Sequence, residues 1–337
     1  MRWRGWLGVI GINLLVLLGL AAGLEGAARL FLTPDARPLF ADTELRTRGR
    51  PFVEPHPTRG FALKPGFEDA LHRIDGDGFR QGLPAAPGAP TWIALGESTT
   101  FGWGVADGDT YPAHLQALLA AQGRQVRVIN AGVPSYSSTQ VLRYLEELLA
   151  GGRKPERVLI NIMWNDVWYS TVLNWYPDLL VYQQPPAWLS TLLHHSTLLR
   201  RILMQPLPAQ AQLVDRFNAE ALAHYRDNLR AMLSLAAKHG IAVALVEPPF
   251  APALLPEEGL NEFHVRYTRP FFLEVAARHR AAMAEVAREF RVPVVDHRLS
   301  LSKGGGQRQY FLDLLHPTPE GNRMMADDVA AALRQGQ

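Results

Sequence analysis

From residue 91 to the C-terminus, short apolar runs take turns with longer helical stretches, and that alternation leaves few folds open. The runs are Thr91–Leu95, Val126–Ala131, Arg157–Met163, Ile241–Val246 and Val292–Val295. They are short, continuous and rich in β-branched side chains, as strands buried on both faces are. Between them lie Ala113–Gln122, Thr139–Ala150, Ala219–Lys238 and Phe271–Phe290, each with helical patterning. A last stretch, Pro319–Leu333, opens with proline in its first turn, where the missing N–H costs nothing. Strand alternating with helix predicts an α/β fold, a parallel sheet covered on both faces. Right-handed crossovers make it a doubly wound sheet of about five strands, with its functional groups at the carboxyl ends.

The N-terminus adds a second constraint. Trp6–Leu24 carries no charge and is interrupted only by glycines and Asn13. At about 1.5 Å per residue such a helix crosses the ~30 Å hydrocarbon core of a bilayer. Arg2 and Arg4 precede it, and Trp3 and Trp6 suit the headgroup boundary. Glu25 and Arg29 follow at a spacing that lets them pair on one helix face. A buried core helix would carry a polar face, which this segment lacks. A cleaved signal peptide has a shorter apolar region, although Ala21-Ala22-Gly23 is small enough for cleavage. The segment reads as an uncleaved signal anchor within residues 1–32, a single-pass transmembrane helix. Its short N-terminal tail favours an inside N-terminus, with the bulk of the chain outside. In a bacterial cell that means the inner (cytoplasmic) membrane, with the main domain periplasmic or extracellular.

Residues 33–90, rich in Pro, Gly and charge, read as a tether and irregular lead-in to a domain spanning 91–333. Asp75-Gly76-Asp77-Gly78 resembles part of a calcium loop but lacks the glutamate at its twelfth position, so it reads as a turn. The Pro- and Trp-containing stretch 167–215 is too long for a simple connection and reads as an insertion beside the site. Composition excludes other classes. With 47% apolar and 20% charged residues, most of the chain can bury a core and is not disordered. A net charge of +2 gives no nucleic-acid-binding surface. The absence of cysteine removes disulfides, thiol nucleophiles and Cys-based metal sites. No metal or cofactor is expected: the histidines show no H-E-x-x-H spacing, and adjacent His194 and His195 would point apart on a helix.

The polar residues that end the strands carry the chemistry. After the first comes Gly96-Glu97-Ser98-Thr99-Thr100, where a serine at a strand-to-loop turn can aim its hydroxyl and its own N–H at one reacting carbon. Thr100 distinguishes it from the G-x-S-x-G elbow. After the second comes Asn130-Ala131-Gly132-Val133, whose glycine allows close backbone approach to a ligand. After the third comes Trp164-Asn165-Asp166, whose Asn amide can donate to a developing oxyanion. Near the end, Asp313 and His316 stand three residues apart, the His suited to act as base and the Asp to orient it. Asp296, at the end of the last strand, is a rival partner for His316. Alone, each of these is an ordinary cap or turn residue.

In this order they resemble the SGNH, or GDSL-type, hydrolase superfamily over about residues 91–333. The lead-in from His56-Pro57 to Gly78-Phe79-Arg80 is similar to what precedes the domain in membrane-anchored members. The resemblance implies Ser98 as nucleophile, His316 as base and Asp313 as its partner. It implies an oxyanion hole from the Ser98 N–H, the Gly132 N–H and the Asn165 side chain. Two positions depart from the pattern. Glu97 replaces the usual Asp or Gly, which keeps the serine but alters the adjoining surface. Met163 replaces a frequent Gly and would narrow the pocket. Trp164, Trp168, Trp175 and Trp188 are either core or the lining of a sugar or acyl groove. The implied function is a serine esterase acting through a Ser-His-Asp acyl-enzyme on an acyl ester, of short chain or O-acetyl type, on a cell-envelope glycan or lipid. The alternatives are an O-acyltransferase passing the acyl group to a sugar hydroxyl, and an inactive glycan-binding protein.

Overall fold

The computed structural model describes residues 3–31, 46–47, 50–171, 196–199, 212–262, 265–298, 301 and 307–335. The chain forms two compact units, Met1–Glu44 with Gln183–Ala209, and Leu45–Tyr182 with Gln210–Gln337. In the first, helix α1 (Trp3–Phe31) contains a segment, Gly11–Phe31, long and apolar enough to cross a membrane. Leu14, Leu15, Leu17, Leu18 and Leu20 are exposed along it. The helix outruns the expected end at Leu24, because Glu25 and Arg29 pair along it at 2.8 Å and Gly26 does not break it. Glu25 also accepts hydrogen bonds from Ser196 Oγ and the Thr197 and Leu198 amides, at 2.7, 2.9 and 3.1 Å.

The second unit is built on the expected doubly wound sheet. Its strands are β3 (Thr91–Gly96), β4 (Arg127–Gly132), β5 (Arg157–Asn161), β6 (Ala242–Val246) and β7 (Val294–Val295). A short antiparallel hairpin, β1 (Val53–His56) with β2 (Gly60–Leu63), precedes them. The sheet order is β7-β6-β5-β3-β4, with every neighbouring pair parallel. Side chains alternate along each strand, and both faces are buried. Ile93, Leu95, Ile129, Val158, Ile160, Val243 and Leu245 face one core, which helices α4 (Ser138–Ala150), α6 (Ala219–Lys238) and α7 (Arg269–Phe290) complete. Trp92, Ala94, Val128, Leu159, Ala244 and Val246 face the other, closed by α3 (Tyr111–Ala121) and α8 (Pro319–Gln335). Local signals set the helix starts: Thr110 Oγ1 caps α3, Asn218 caps α6 and Thr268 caps α7, with Pro112 and Pro270 in the first turns.

Residues 50–90 are more than an irregular lead-in. Phe52, Phe61, Phe67 and Phe79 are buried in the first core, since a stretch rich in Pro and Gly still places its aromatics inward. Phe61 packs edge-on against Tyr136 at 5.2 Å, and its carbonyl accepts from the Tyr136 hydroxyl. Asp75 makes the expected turn, its carboxylate accepting from the Asp77 and Phe79 amides. Of the 167–215 insertion, residues 172–195 and 200–211, with Trp175, Trp188, His194 and His195, lie outside the described residues.

Candidate active site

The order of the sheet dictates where a ligand can sit. The chain leaves β3 toward β4 on one side and returns to β5 on the other, so the crevice opens beyond the carboxyl end of β3. At that end α2 (Ser98–Phe101) begins, with Ser98 its first residue. The corner is tight: a Cβ on Gly96 would lie 2.1 Å from the Asn161 carbonyl and 2.3 Å from Thr100 Oγ1. Thr99 Oγ1 donates to Asn161 Oδ1 at 2.6 Å, fastening the helix to β5. The Ser98 carbonyl accepts from the Gly102 and Trp103 amides, which closes the turn.

His316 reaches this serine from a distant loop. Its Nε2 lies 2.9 Å from Ser98 Oγ, and its Nδ1 lies 2.7 Å from Asp313 Oδ2. Asp313 Oδ1 meanwhile accepts from the Leu315 and His316 amides at 2.8 and 2.9 Å, so the carboxylate shapes the loop that carries its partner. Leu312 N donates to the His316 carbonyl, which closes the loop at its base. Partial burial would raise the Asp313 pKa, but the bond to His316, its charge and the two amides outweigh this and hold it at about 2. Asp296 is committed elsewhere, to the Arg298 guanidinium at 2.5 and 2.9 Å.

Two of the expected oxyanion donors, Gly132 and Asn165, are hydrogen-bonded within the protein in this structure. The Gly132 N–H donates to Asn130 Oδ1 at 3.0 Å. Glycine is needed at 132 for packing: a Cβ there would sit 2.2 Å from the Phe101 amide nitrogen. Both Asn165 amide hydrogens are engaged, with Glu97 Oε2 at 2.6 Å and the Tyr136 carbonyl at 2.8 Å. Ser135, which the sequence reading missed, sits in the turn Val133-Pro134-Ser135-Tyr136. Tyr136 N bonds back to the Val133 carbonyl at 3.2 Å, and Ser135 has φ 64°. That is the third position of a type II turn, which demands positive φ and usually glycine. The dipeptide Pro134-Ser135 was the available signal. The turn borders the Ser98 corner, because Val133 N donates to the Gly96 carbonyl at 3.0 Å. Among the described residues, the Ser98 and Ser135 amides have no protein acceptor.

Glu97 is not a surface residue. It is 1% exposed, and its carboxylate accepts from the Met163, Trp164 and Asn165 amides and from Asn165 Nδ2. It thereby caps α5 (Trp164–Tyr169) and ties it to the residue before Ser98. Burial pushes its pKa up to about 8, the N–H donors opposing and neighbouring Asp166 assisting. Asp166, also buried, is raised to about 7 by burial although Ser138 donates to it through both Oγ and N. Met163 and Trp164 belong to the core; Trp164 stacks on Phe272 at 6.0 Å and donates to the Pro249 carbonyl. Among the described residues no group of three His, Asp or Glu side chains converges to hold a metal.

A five-stranded parallel sheet with these side chains gathered at its switch point defines the SGNH class of ester hydrolases. The chain belongs to the GDSL-like lipase/acylhydrolase family, whose model matches residues 94–324. It is an ester-hydrolysing enzyme. Similar solved structures include TesA (19% identity, TM-score 0.47), covering 73% of this chain and 98% of that one. A lipase/acylhydrolase from Enterococcus faecalis (18%, TM-score 0.47) covers 73% and 96%. LAE5, an α/β hydrolase from the metagenome of Lake Arreo in Spain (20%, TM-score 0.48), covers 74% and 96%. No curated protein matches the sequence.

Proposed function

We propose that the protein is a membrane-anchored serine esterase in which Ser98 attacks the carbonyl carbon of an acyl ester. The observation that carries this reading is the continuous hydrogen-bond chain from Ser98 Oγ through His316 to Asp313. As Ser98 Oγ bonds to carbon, its proton passes to His316 Nε2, and Asp313 stabilises the imidazolium and fixes its tautomer. The tetrahedral intermediate collapses with the proton returning to the leaving alcohol, which leaves an acyl-enzyme. Water then attacks, His316 takes and returns a second proton, and the acid departs. The oxyanion is received by the Ser98 and Ser135 N–H groups. The Asn165 hydrogen that rests on the Tyr136 carbonyl turns toward it as charge develops.

The α1 segment supports a membrane anchor, and we place the catalytic domain on the outer side of the inner membrane, in the periplasm. That address favours a short acyl ester, such as an O-acetyl group, on a cell-envelope glycan or lipid. A membrane-impermeant fluorophosphonate, added to cells with a permeabilised outer membrane, tests the nucleophile and its placement together. Labelling of the wild type, lost in Ser98→Ala along with hydrolysis of a chromogenic acetyl ester, is the expected result. A folded wild type that stays unlabelled in detergent extracts would overturn the nucleophile. Labelling in extracts but not in cells would overturn the placement.

A further inference from the structure

We infer that Arg80 is a positioning residue for the nucleophile, acting from outside the family-matched segment by holding the far end of the helix that carries Ser98. The inference rests on the reading of Ser98 as nucleophile. α2 is a single turn, Ser98–Phe101, and a single turn has no stability of its own. Its entrance is held by the Gly96 corner and by Glu97. Its exit leaves two carbonyls short of donors: Phe101 O has only a long contact from Asn130 Nδ2 at 3.4 Å, and Gly102 O only the Val105 amide at 3.3 Å.

Arg80 supplies them. Its Nη1 donates to the Phe101 carbonyl at 2.6 Å and to the Gly102 carbonyl at 2.7 Å. Its Nη2 donates to Val105 O at 2.5 Å and to Leu71 O at 3.1 Å, and its Nε donates to Asp107 Oδ1 at 3.1 Å. All five guanidinium hydrogens are thus engaged, three of them on carbonyls of the loop leaving the nucleophile. The side chain is 0% exposed, and its Cζ lies 4.6 Å from the centre of the Phe101 ring. The backbone of Arg80 is anchored as well: its N–H donates to the Asn130 carbonyl at 3.1 Å, at the β4 edge. Asn130 Nδ2 in turn donates to the Thr100 carbonyl at 2.9 Å. The end of the nucleophile helix is therefore clamped from two sides. The matched family segment begins at residue 94, so Arg80 reaches the end of α2 from a stretch outside it.

Lysine cannot copy this clamp. Its single ammonium offers three donors from one point and cannot span carbonyls arrayed around a planar fork. Displacing Ser98 by a fraction of an ångström from His316 should slow acylation without changing how the ester binds. The test is steady-state turnover per active serine, with the serines counted by fluorophosphonate titration, alongside melting curves. Arg80→Lys should lower kcat per labelled serine by about 10- to 100-fold with KM little changed. Added guanidinium should restore part of the kcat of Arg80→Ala. A folded Arg80→Lys enzyme within twofold of wild type per labelled serine would show that Arg80 serves the fold alone. If neither Arg80 variant folds, Asp107→Ala decides, since it removes the carboxylate that fixes Arg80 Nε and so frees the guanidinium to shift off the Phe101 and Gly102 carbonyls. A lower kcat per serine supports the clamp, and an unchanged one overturns it. Should the wild type itself not label, the nucleophile assignment fails rather than this inference.

Discussion

Asn165→Ala separates a participant in the reaction from a brace. In the resting enzyme its two amide hydrogens lie on Glu97 Oε2 at 2.6 Å and the Tyr136 carbonyl at 2.8 Å. Removing them leaves Glu97 with three backbone donors but the Tyr136 carbonyl with a lost partner. A buried acceptor so stranded costs about 1–3 kcal/mol of stability. At about 2–4 °C per kcal/mol, Tm should fall by several degrees. The same contacts set the kinetic effect. An oxyanion donor contributes ~2.7–4 kcal/mol to the transition state. Turning from the Tyr136 carbonyl forfeits about 0.5–1.5 kcal/mol of that gain. The net loss of kcat in Asn165→Ala is then about tenfold to a few hundredfold, with KM little changed. Asn165→Asp should be worse, because it sets a second carboxylate against Glu97, and two such groups cannot both ionise. Kinetics on a chromogenic short-chain ester, normalised to labelled serine, with parallel melting curves, give the answer. A folded Asn165→Ala enzyme that melts earlier yet keeps kcat within about threefold of wild type would refute the donor role and leave Asn165 as the brace of α5.

Two further outcomes are expected. Asp313→Asn should lower kcat by about 10⁴ through the wrong His316 tautomer, with Tm nearly unchanged because the carboxylate is more than half exposed; a loss under tenfold would remove Asp313 from the reaction. Glu97 carries the pH prediction. Its folded-state pKa of about 8 lies above the ordinary value, so its contribution to stability is full below about pH 4.5 and is lost as pH rises to 8. Asp166, raised to about 7, acts with the same sign, whereas His279, depressed to about 4 by burial, penalises the acid side. The fall in Tm between pH 5 and 8 should therefore be shallower in Glu97→Gln than in wild type, and parallel curves would refute the buried acid as its source.

The alternation of β-branched runs with helical stretches was enough to specify a parallel five-stranded sheet. Periodicity is local, and burial on both faces leaves a continuous apolar run that the chain itself displays. The strand ends followed from the same pattern and carry Ser98 and Asn165, but these and the Asp313–His316 pair stood out only through the family resemblance. What each donor does there was decided by partners far away in sequence. Gly132 looked like an open amide until Asn130 took its N–H and the Phe101 backbone was found where a Cβ would go. Asp296 stood as a rival to Asp313 until Arg298 was found to claim it. Glu97 read as a surface change and turned out to be a buried cap on α5, and Arg80 read as part of a lead-in and turned out to donate to the carbonyls at the end of α2. A buried polar group must find a partner, and which partner it finds depends on how helices and loops pack after the sheet has formed. Sequence patterning set the layers and the places where chemistry can occur; packing alone assigned the hydrogen bonds, and with them the roles.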